Sequence, residues 1–457
     1  MIKKNDEIIV DIIDNGFQGE GIAKSEGITI FVPNVIKGER AKIKILKVAS
    51  SIAYGKLVEL IEKSDNRAEV GCETYLKCGG CNMRHIKYEQ TLAIKKESVS
   101  NTLRKALGRE IAIEEVIGME EPLYYRNKLQ YPVGKDESGA PVMGVFAERS
   151  HRIIPTYECL IQDRKSQEIA NDLFNFIKEN NIPVYDEESQ TGTIRHIIIR
   201  RGKETNEIMI TLVSNAEMIV NEDVEKKMAD YITSKYSEIK TIVKNVNNKN
   251  TNVILGYDKS NVLLYGDGYI EDYLGDFKFK ISPMSFYQVN PVQTEKLYSK
   301  AIEYASLTGT ETIFDLYCGI GTIGIFASPK VKQIYGIETI SEAIEDAKEN
   351  AKINNIKNAE YYVGDVEEFL PQFIESQQII PDVIFVDPPR KGCDRMAIDT
   401  LLKIEPKKIV YVSCNPATLA RDISILEKKY NLEKISIVDM FPYTSHVECV
   451  SVLSLKA

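Results

Sequence analysis

Residues 312–324 constrain the fold of this chain more than any other stretch. Thr312-Ile313-Phe314-Asp315-Leu316 reads as a buried strand, and it runs directly into Asp315-Leu316-Tyr317-Cys318-Gly319-Ile320-Gly321-Thr322-Ile323-Gly324. A G-x-G-x-x-G turn between a strand and a helix lets the backbone approach a ligand closely. The alternation then continues. Gln333 to Glu338 is a second strand, and Ser341 is placed to N-cap a helix reaching Asn350. Ala359 to Asp365 and Asp382 to Asp387 supply the third and fourth strands, and Lys408-Ile409-Val410-Tyr411-Val412 runs on into Ser413-Cys414. This order predicts a doubly wound α/β sheet that binds its ligand at the carboxyl ends of the strands.

Several chemically active residues fall at those ends. The glycine loop alone does not separate a nicotinamide dinucleotide from S-adenosylmethionine. Glu338 ends the next strand, about twenty residues on, where it can bind ribose hydroxyls. Asp315 suits the amino-acid end of S-adenosylmethionine, and Asp365 would lie near the adenine. Asp387-Pro388-Pro389-Arg390 favours S-adenosylmethionine, because its prolines stiffen a turn that aims Asp387 into the pocket. In amino methyltransferases a comparable motif ends in an aromatic residue and holds an exocyclic nitrogen. Here Arg390 takes that place and Cys414 ends the next strand, so the methyl acceptor is expected to be carbon. Taken alone, Cys414 could be a small buried residue closing a strand.

C5 of uracil is one carbon that would need such a thiol. The ring is electron-poor, and C5 becomes nucleophilic once a thiolate adds to C6. A base must then remove the C5 proton so that the thiol departs. Cys414 and Glu448 supply these two groups. An ordinary thiol titrates near ~8.5, so local positive charge or hydrogen bonding is expected to help ionise Cys414.

At 457 residues, two to four domains are expected. Hydrophobic residues make up 43% and charged residues 27%, as in an ordinary globular protein. No run approaches the ~20 apolar residues of a membrane span. The start, Met1-Ile2-Lys3-Lys4-Asn5, has no apolar core, so a cytoplasmic address is expected. Eight cysteines in a chain this long do not form a secreted disulfide framework, and three of them cluster, which points to metal. The net charge of −9 argues against nucleic acid. Locally, however, Lys37, Arg40, Lys42, Lys44, Lys47 and Lys56 stand against Glu39 alone, and phosphate contacts are local.

That basic stretch lies in a run of short strands separated by glycine turns, including 7–12, 27–33, 41–46 and 53–61. Lysines alternate with apolar residues in Ala41-Lys42-Ile43-Lys44-Ile45-Leu46, as on a half-buried strand. Five strands in about sixty residues fit a small OB-type barrel. Asn15-Gly16-Phe17-Gln18-Gly19-Glu20-Gly21-Ile22-Ala23, with Val32-Pro33 and Lys37-Gly38-Glu39, resembles the TRAM domain of RNA-modifying enzymes. Tyr88 to Leu107 has helical spacing. Between 122 and 265, strands alternate with helices and carry Tyr124, Tyr125, Arg126, Lys128, Arg195, His196, Arg200 and Arg201. The expected division is a TRAM-like barrel at 1–62, a central α+β domain at 63–90 and 122–265, and a Rossmann-like methyltransferase domain at 91–121 and 266–457.

Five motifs, in order, resemble the RNA uridine-C5 methyltransferase family. They are Ser285-Phe286-Tyr287-Gln288-Val289-Asn290, the glycine loop, Asp387-Pro388-Pro389-Arg390-Lys391-Gly392, Ser413-Cys414-Asn415-Pro416-Ala417-Thr418-Leu419-Ala420-Arg421-Asp422, and His446-Val447-Glu448. The resemblance implies Cys414 as nucleophile and Glu448 as base, with Gln288, Tyr317, Glu338 and Asp387 lining an S-adenosylmethionine site. The plainer alternatives are a helix-start hydrogen bond for Gln288 and ordinary packing for Tyr317. Cys318, Cys393 and Cys449 read as packing residues, Cys449 pointing away from Glu448. His446 either orders the strand before Glu448 or is structural.

Cys72, Cys78, Cys81 and, further on, Cys159 could supply four thiolates, for which zinc and a [4Fe–4S] cluster both remain open on spacing. Ribosomal-RNA members of the resembled family carry an iron–sulfur cluster at this pattern. The resemblance therefore implies [4Fe–4S], with zinc the lesser alternative. It also implies 23S ribosomal RNA as partner, met before or during ribosome assembly, and a monomer binding neither DNA nor membrane. Transfer RNA is the nearest rival substrate. A non-catalytic RNA-binding or redox-sensing protein is the other alternative, opposed by intact Asp315, Asp387, Cys414 and Glu448.

Overall fold

The computed structural model describes residues 2–457. The N-terminal sheet comprises β1 (Glu7–Asp11), β2 (Asp14–Asn15), β3 (Gly21–Ser25), β4 (Ile28–Val32), β5 (Arg40–Val48) and β6 (Ile52–Glu62), in the order β1-β5-β6-β4-β3-β2. It has six strands rather than five because two residues, Asp14 and Asn15, pair with β3. On β5 the side chains of Ala41, Ile43 and Ile45 enter the core with Ile30, Val32 and Ala53. Lys42 and Lys44 take the outer face, as strand alternation requires. Glu7 pairs with Lys42 at 2.8 Å and neutralises part of that face.

Helix α1 (Tyr88–Leu107) spans the predicted residues, and Gly108 ends it in a left-handed conformation. Then come β7 (Val116–Ile117), β8 (Lys128–Lys135), β9 (Pro141–Phe146), β10 (Ile153–Pro155), α2 (Arg164–Glu179), β11 (Ile194–Arg201), β12 (Ile208–Ser214), α3 (Glu222–Lys235), β13 (Ile239–Val246) and β14 (Asn261–Gly266). Strands β8 to β14 form one sheet, ordered β10-β9-β8-β11-β12-β13-β14. Apolar residues of α2 and α3 bury one of its faces. Asp163 and Asn221 cap those helices, accepting the amides of Ser166 and Val224.

After the hairpin of β15 (Ile270–Leu274) and β16 (Phe277–Ile281) comes α4 (Pro291–Ala305). The doubly wound part follows: β17 (Thr312–Leu316), α5 (Thr322–Ala327), β18 (Gln333–Glu338), α6 (Ser341–Ile353), β19 (Ala359–Val363), α7 (Val366–Gln377), β20 (Val383–Val386), α8 (Arg395–Ile404), β21 (Lys408–Ser413), α9 (Pro416–Leu426), β22 (Tyr430–Val438) and β23 (Glu448–Leu455). The sheet order is β19-β18-β17-β20-β21-β23-β22-β7. Every neighbouring pair is parallel except those made by β23, which runs antiparallel to β21 and β22. Two large apolar clusters cover its faces, and Val99 and Leu103 of α1 belong to one of them.

The bounds of β17 and β18 match expectation, while three neighbouring details differ. Ser341 is the first helical residue of α6 rather than its cap. The Glu338 carboxylate already accepts the amides of Thr339 (2.8 Å) and Ile340 (3.1 Å), so the chain turns into the helix one residue earlier. Strand β19 stops at Val363 because Asp365 caps α7, accepting the Glu367 amide at 3.0 Å. Asp382 stays outside β20, and its carboxylate accepts the Thr312 amide (2.9 Å) and pairs with Lys407 (2.8 Å). Among the described residues no helix is long and apolar enough to cross a membrane.

Candidate active site

One edge of the eight-stranded sheet gathers the chemistry. β17, β18, β20 and β21 are parallel, so Asp315, Glu338, Asp387 and Cys414 all lie at their carboxyl ends. Because β23 is antiparallel to β21, its first residue, Glu448, arrives at the same edge, with Val412 paired to Val450. Cys414 is partly exposed and Glu448 is buried.

The charges at this edge are unbalanced. Burial pushes the Asp387 carboxyl up to about 7. Burial also raises Asp315 to about 7, with the Gly324 amide opposing and the Asp387 and Glu338 charges adding. Glu448 is held well above the usual carboxylate range by burial and then by Asp387, against a smaller pull from Arg390. The Cys414 thiol is pushed up to about 11, first by burial and then by Glu448 and Asp387, with Arg390 opposing. The expected help from positive charge is therefore present in Arg390, and the buried acids outweigh it.

The carboxyls of Asp387 and Glu448 have no hydrogen-bond partner among the described residues, while Asp315 Oδ2 accepts the Gly324 amide at 2.8 Å. Asp315 Oδ1 is buried without a partner. An orphaned carboxylate oxygen beside two further acids fits a ligand with an ammonium or sulfonium group. The loop is open at Gly319, where a Cβ would meet nothing within 4 Å, whereas Gly321 and Gly336 make way for the Tyr361 ring. Gly321 begins α5 at φ +80°, and a Cβ there would stand 2.9 Å from the Tyr361 hydroxyl. At Gly336 a Cβ would meet the Tyr361 ring at 2.4 Å.

The other predicted residues take distinct places. Glu338 closes the loop, its Oε2 accepting the Gly319 amide at 3.2 Å. Tyr317 opens the loop in a left-handed conformation, φ +62°, and its hydroxyl donates to Glu367 at 2.9 Å. Gln288 lies in a loop fixed through its backbone. Asn127 Nδ2 donates to the Gln288 carbonyl at 3.2 Å, and Arg200 donates to the carbonyls of Tyr287 (3.3 Å) and Ser285 (3.2 Å). The helix-start hydrogen bond belongs instead to Asn290, which accepts the Gln293 amide at 3.3 Å. Cys318, Cys393 and Cys449 are buried. His446 is exposed, with its ring 5.9 Å from that of Phe441. Glu367, Asn127 and Arg200 carry no local sequence signal for these roles, which depend on partners 50, 161 and 87 residues away.

This geometry can be set beside known proteins. The sequence model for tRNA (uracil-5-)-methyltransferase matches residues 203–456, and that for the TRAM domain matches residues 3–58. The chain belongs to the tRNA (uracil-5-)-methyltransferase family. An RNA methyltransferase of Clostridium acetobutylicum is 48% identical over 454 residues, 98% of this chain and 97% of that one. One from Staphylococcus aureus is 44% identical over 456 residues, 100% of this chain and 99% of that one. The crystal structure of Pyrococcus abyssi tRNA (uracil-54, C5)-methyltransferase with S-adenosyl-L-homocysteine superposes with a TM-score of 0.77. That protein is 28% identical, and the match covers 98% of this chain and all of the other.

In this RNA uridine-C5 methyltransferase the remaining cysteines converge from two loops. Cys81 and Cys159 both pack against the Met119–Tyr125–Ile161 cluster. The Cys81 thiol is pushed up to about 12 by burial and then by Cys159, Cys78 and Cys72. Four thiols are the right donor chemistry for zinc or an iron–sulfur cluster. Among the described residues no group of three or more His, Cys, Asp or Glu side chains is drawn close enough to hold a metal ion.

Proposed function

We propose that this enzyme transfers a methyl group from S-adenosylmethionine to C5 of a uridine in 23S ribosomal RNA through a covalent adduct with Cys414. The observation that carries the reading is the placement of Cys414 and Glu448 side by side at the sheet edge, next to the cation-poor glycine loop. S-adenosylmethionine, when bound, supplies a methyl group on a cationic sulfur. Asp315 would hold its ammonium group, Glu338 its ribose, and Tyr317, Gln288 and Asp387 would complete the wall.

The chain's own groups do the rest. The Cys414 thiolate forms a bond to uracil C6, and the C5–C6 electron pair shifts toward the O4 carbonyl. C5 is then the nucleophile and takes the methyl group, whose bond to the cationic sulfur breaks to leave a neutral thioether. Glu448 takes the C5 proton, the electrons re-form the C5–C6 double bond, and the Cys414–C6 bond breaks to return the thiolate. Trapping tests the adduct: RNA carrying 5-fluorouridine has no C5 proton to lose, so it should remain bound to Cys414 on a denaturing gel.

The substrate reading rests on the TRAM domain together with the cysteine quartet, and transfer RNA is the second reading. The latter is favoured by the family description and by the Pyrococcus abyssi enzyme named for tRNA. Mapping 5-methyluridine in ribosomal and transfer RNA from a deletion strain decides between them. Cys72, Cys78, Cys81 and Cys159 are assigned a [4Fe–4S] cluster, supported by their convergence from two loops. About four iron and four sulfide per chain in anaerobically purified protein would support it, and active protein holding zinc instead would overturn it. The domain division proposed is 1–62, then 63–90 with 122–265, then 91–121 with 266–457, in a cytoplasmic monomer.

A further inference from the structure

The segment joining β22 to β23 leads straight into Glu448, and groups outside the C-terminal sheet hold it almost residue by residue. Asn290 Nδ2 donates to the Met440 carbonyl at 3.0 Å, and Lys95 Nζ to that of Phe441 at 3.1 Å. The Tyr125 hydroxyl donates to the Pro442 carbonyl at 3.4 Å, and the Met83 amide to that of Tyr443 at 3.0 Å. Asn82 Nδ2 donates to the Ser445 hydroxyl at 3.0 Å, three residues before Glu448. The Arg84 guanidinium lies 4.3 Å from the centre of the Tyr443 ring, which also stands 5.6 Å from Tyr88. Arg84 is itself anchored, donating from Nε to the Val70 carbonyl at 3.0 Å.

Two further observations give these contacts a purpose. Tyr443 has φ +63°, a conformation that a bulky side chain adopts only where its surroundings enforce it. The Glu448 carboxyl has no hydrogen-bond partner among the described residues, so its aim depends on how its backbone is placed and on packing around it. A general base must stand within hydrogen-bond reach of the proton it removes, and a misplacement of ~1 Å can cost about a hundredfold.

We propose that Asn82, Arg84 and Tyr443 are positioning residues for the base: the 82–84 turn clamps the 443–445 turn and so aims Glu448 at the C5 proton. The proposal rests on the reading of Glu448 as the base of the covalent mechanism. It assigns the clamp to the second half of the reaction, since Cys414 is placed by β21 and α9, and the clamp's hydrogen bonds join the 82–84 and 443–445 turns to each other. The turn begins one residue after Cys81, so whatever fixes the 72–81 loop also fixes Asn82.

The test is single-turnover methylation with labelled S-adenosylmethionine, using whichever unmodified transcript, 23S ribosomal or transfer RNA, the wild-type protein methylates. In the Asn82→Ala/Arg84→Ala double variant, adduct should form within about twofold of the wild-type rate and decay at least about tenfold more slowly. Methylated RNA should accumulate still attached to protein on denaturing gels. Tyr443→Ala should behave alike, and Tyr443→Phe, which keeps the ring, should restore release. Adduct decay at the wild-type rate in both variants overturns the clamp. So does a parallel fall in formation, decay and S-adenosylmethionine binding, the sign of a merely structural role. If wild-type protein forms no adduct even with 5-fluorouridine RNA, the covalent reading fails and the clamp falls with it.

Discussion

Ser413 and Cys449 face each other across the antiparallel junction of β21 and β23. The pairing places Cys414, one residue beyond the first, and Glu448, one residue before the second, together at the strand ends. Cys449 is fully buried, consistent with side chains alternating between faces along β23. A thiol and a carboxyl from two different strands thus share one edge because a single strand reverses direction.

Substitutions at the two positions should separate the two halves of the reaction. Cys414→Ala should abolish methyl transfer and leave S-adenosylmethionine binding intact, as measured by calorimetry. Glu448→Gln should slow turnover by about 10²–10⁴-fold and accumulate a covalent RNA adduct on denaturing gels. Cys449→Ser should keep most activity. Near-normal turnover in Cys414→Ala would sink the mechanism.

Cofactor affinity should depend on pH. Burial pushes the Asp315 and Asp387 carboxyls up to about 7, so each is partly protonated at neutrality. A cationic ligand binds the ionised forms, and affinity should therefore tighten as pH rises from about 6 to 8, with protons released on binding. Titration calorimetry in two buffers of different ionisation enthalpy measures that release. The same shifts set the sign for stability. Both groups bind a proton more tightly folded than unfolded, so their contribution is full below pH 3.8 and is lost as pH rises through about 7. Asp315→Asn should weaken binding and flatten its pH profile.

Local pattern made the C-terminal sheet legible. β17, β18 and α1 have the bounds their apolar spacing indicates, and Cys414 and Asp387 announce themselves as polar residues ending apolar runs. The rest depends on partners remote in sequence. Arg200 could be read as an RNA-facing cation, and it is instead buried with its guanidinium on two carbonyls of the 285–288 loop. Lys95 sits in a helix of moderate polarity and gives no hint that it is buried against Asp439, 344 residues away. The charge around Cys414 was legible only in part: Arg390 stands in the sequence beside Asp387, whereas the raised thiol follows from burial and from Glu448 arriving along β23.

Arg390 should tune the Cys414 thiol. It is the cation acting on Cys414 among the described residues, and it opposes two acids. Arg390→Gln should raise the thiol further and cut the rate of adduct formation at neutral pH by about tenfold, equivalent to about one pKa unit. The deficit should narrow as pH is raised toward the thiol's titration. A pH-independent loss confined to KM would instead assign Arg390 to RNA binding alone. Single-turnover rates across pH 6.5 to about 9.5 distinguish the two profiles.

The ion pair beneath the clamped segment should dominate the stability of this edge. Lys95 Nζ lies 2.5 Å from Asp439 Oδ1, both side chains are essentially inaccessible, and Tyr88 donates to the other carboxylate oxygen at 2.8 Å. Burial lowers the lysine's affinity for its proton, and Asp439 offsets part of that cost. Lys95→Met leaves a buried carboxylate with one hydroxyl partner, and should cost about 3–5 kcal/mol in denaturant unfolding. Lys95→Met/Asp439→Leu removes both charges and should recover much of the loss, because no buried charge is then left unpaired. If the double variant is no more stable than Lys95→Met, the penalty lies in lost packing of the lysine stem and not in the uncompensated charge.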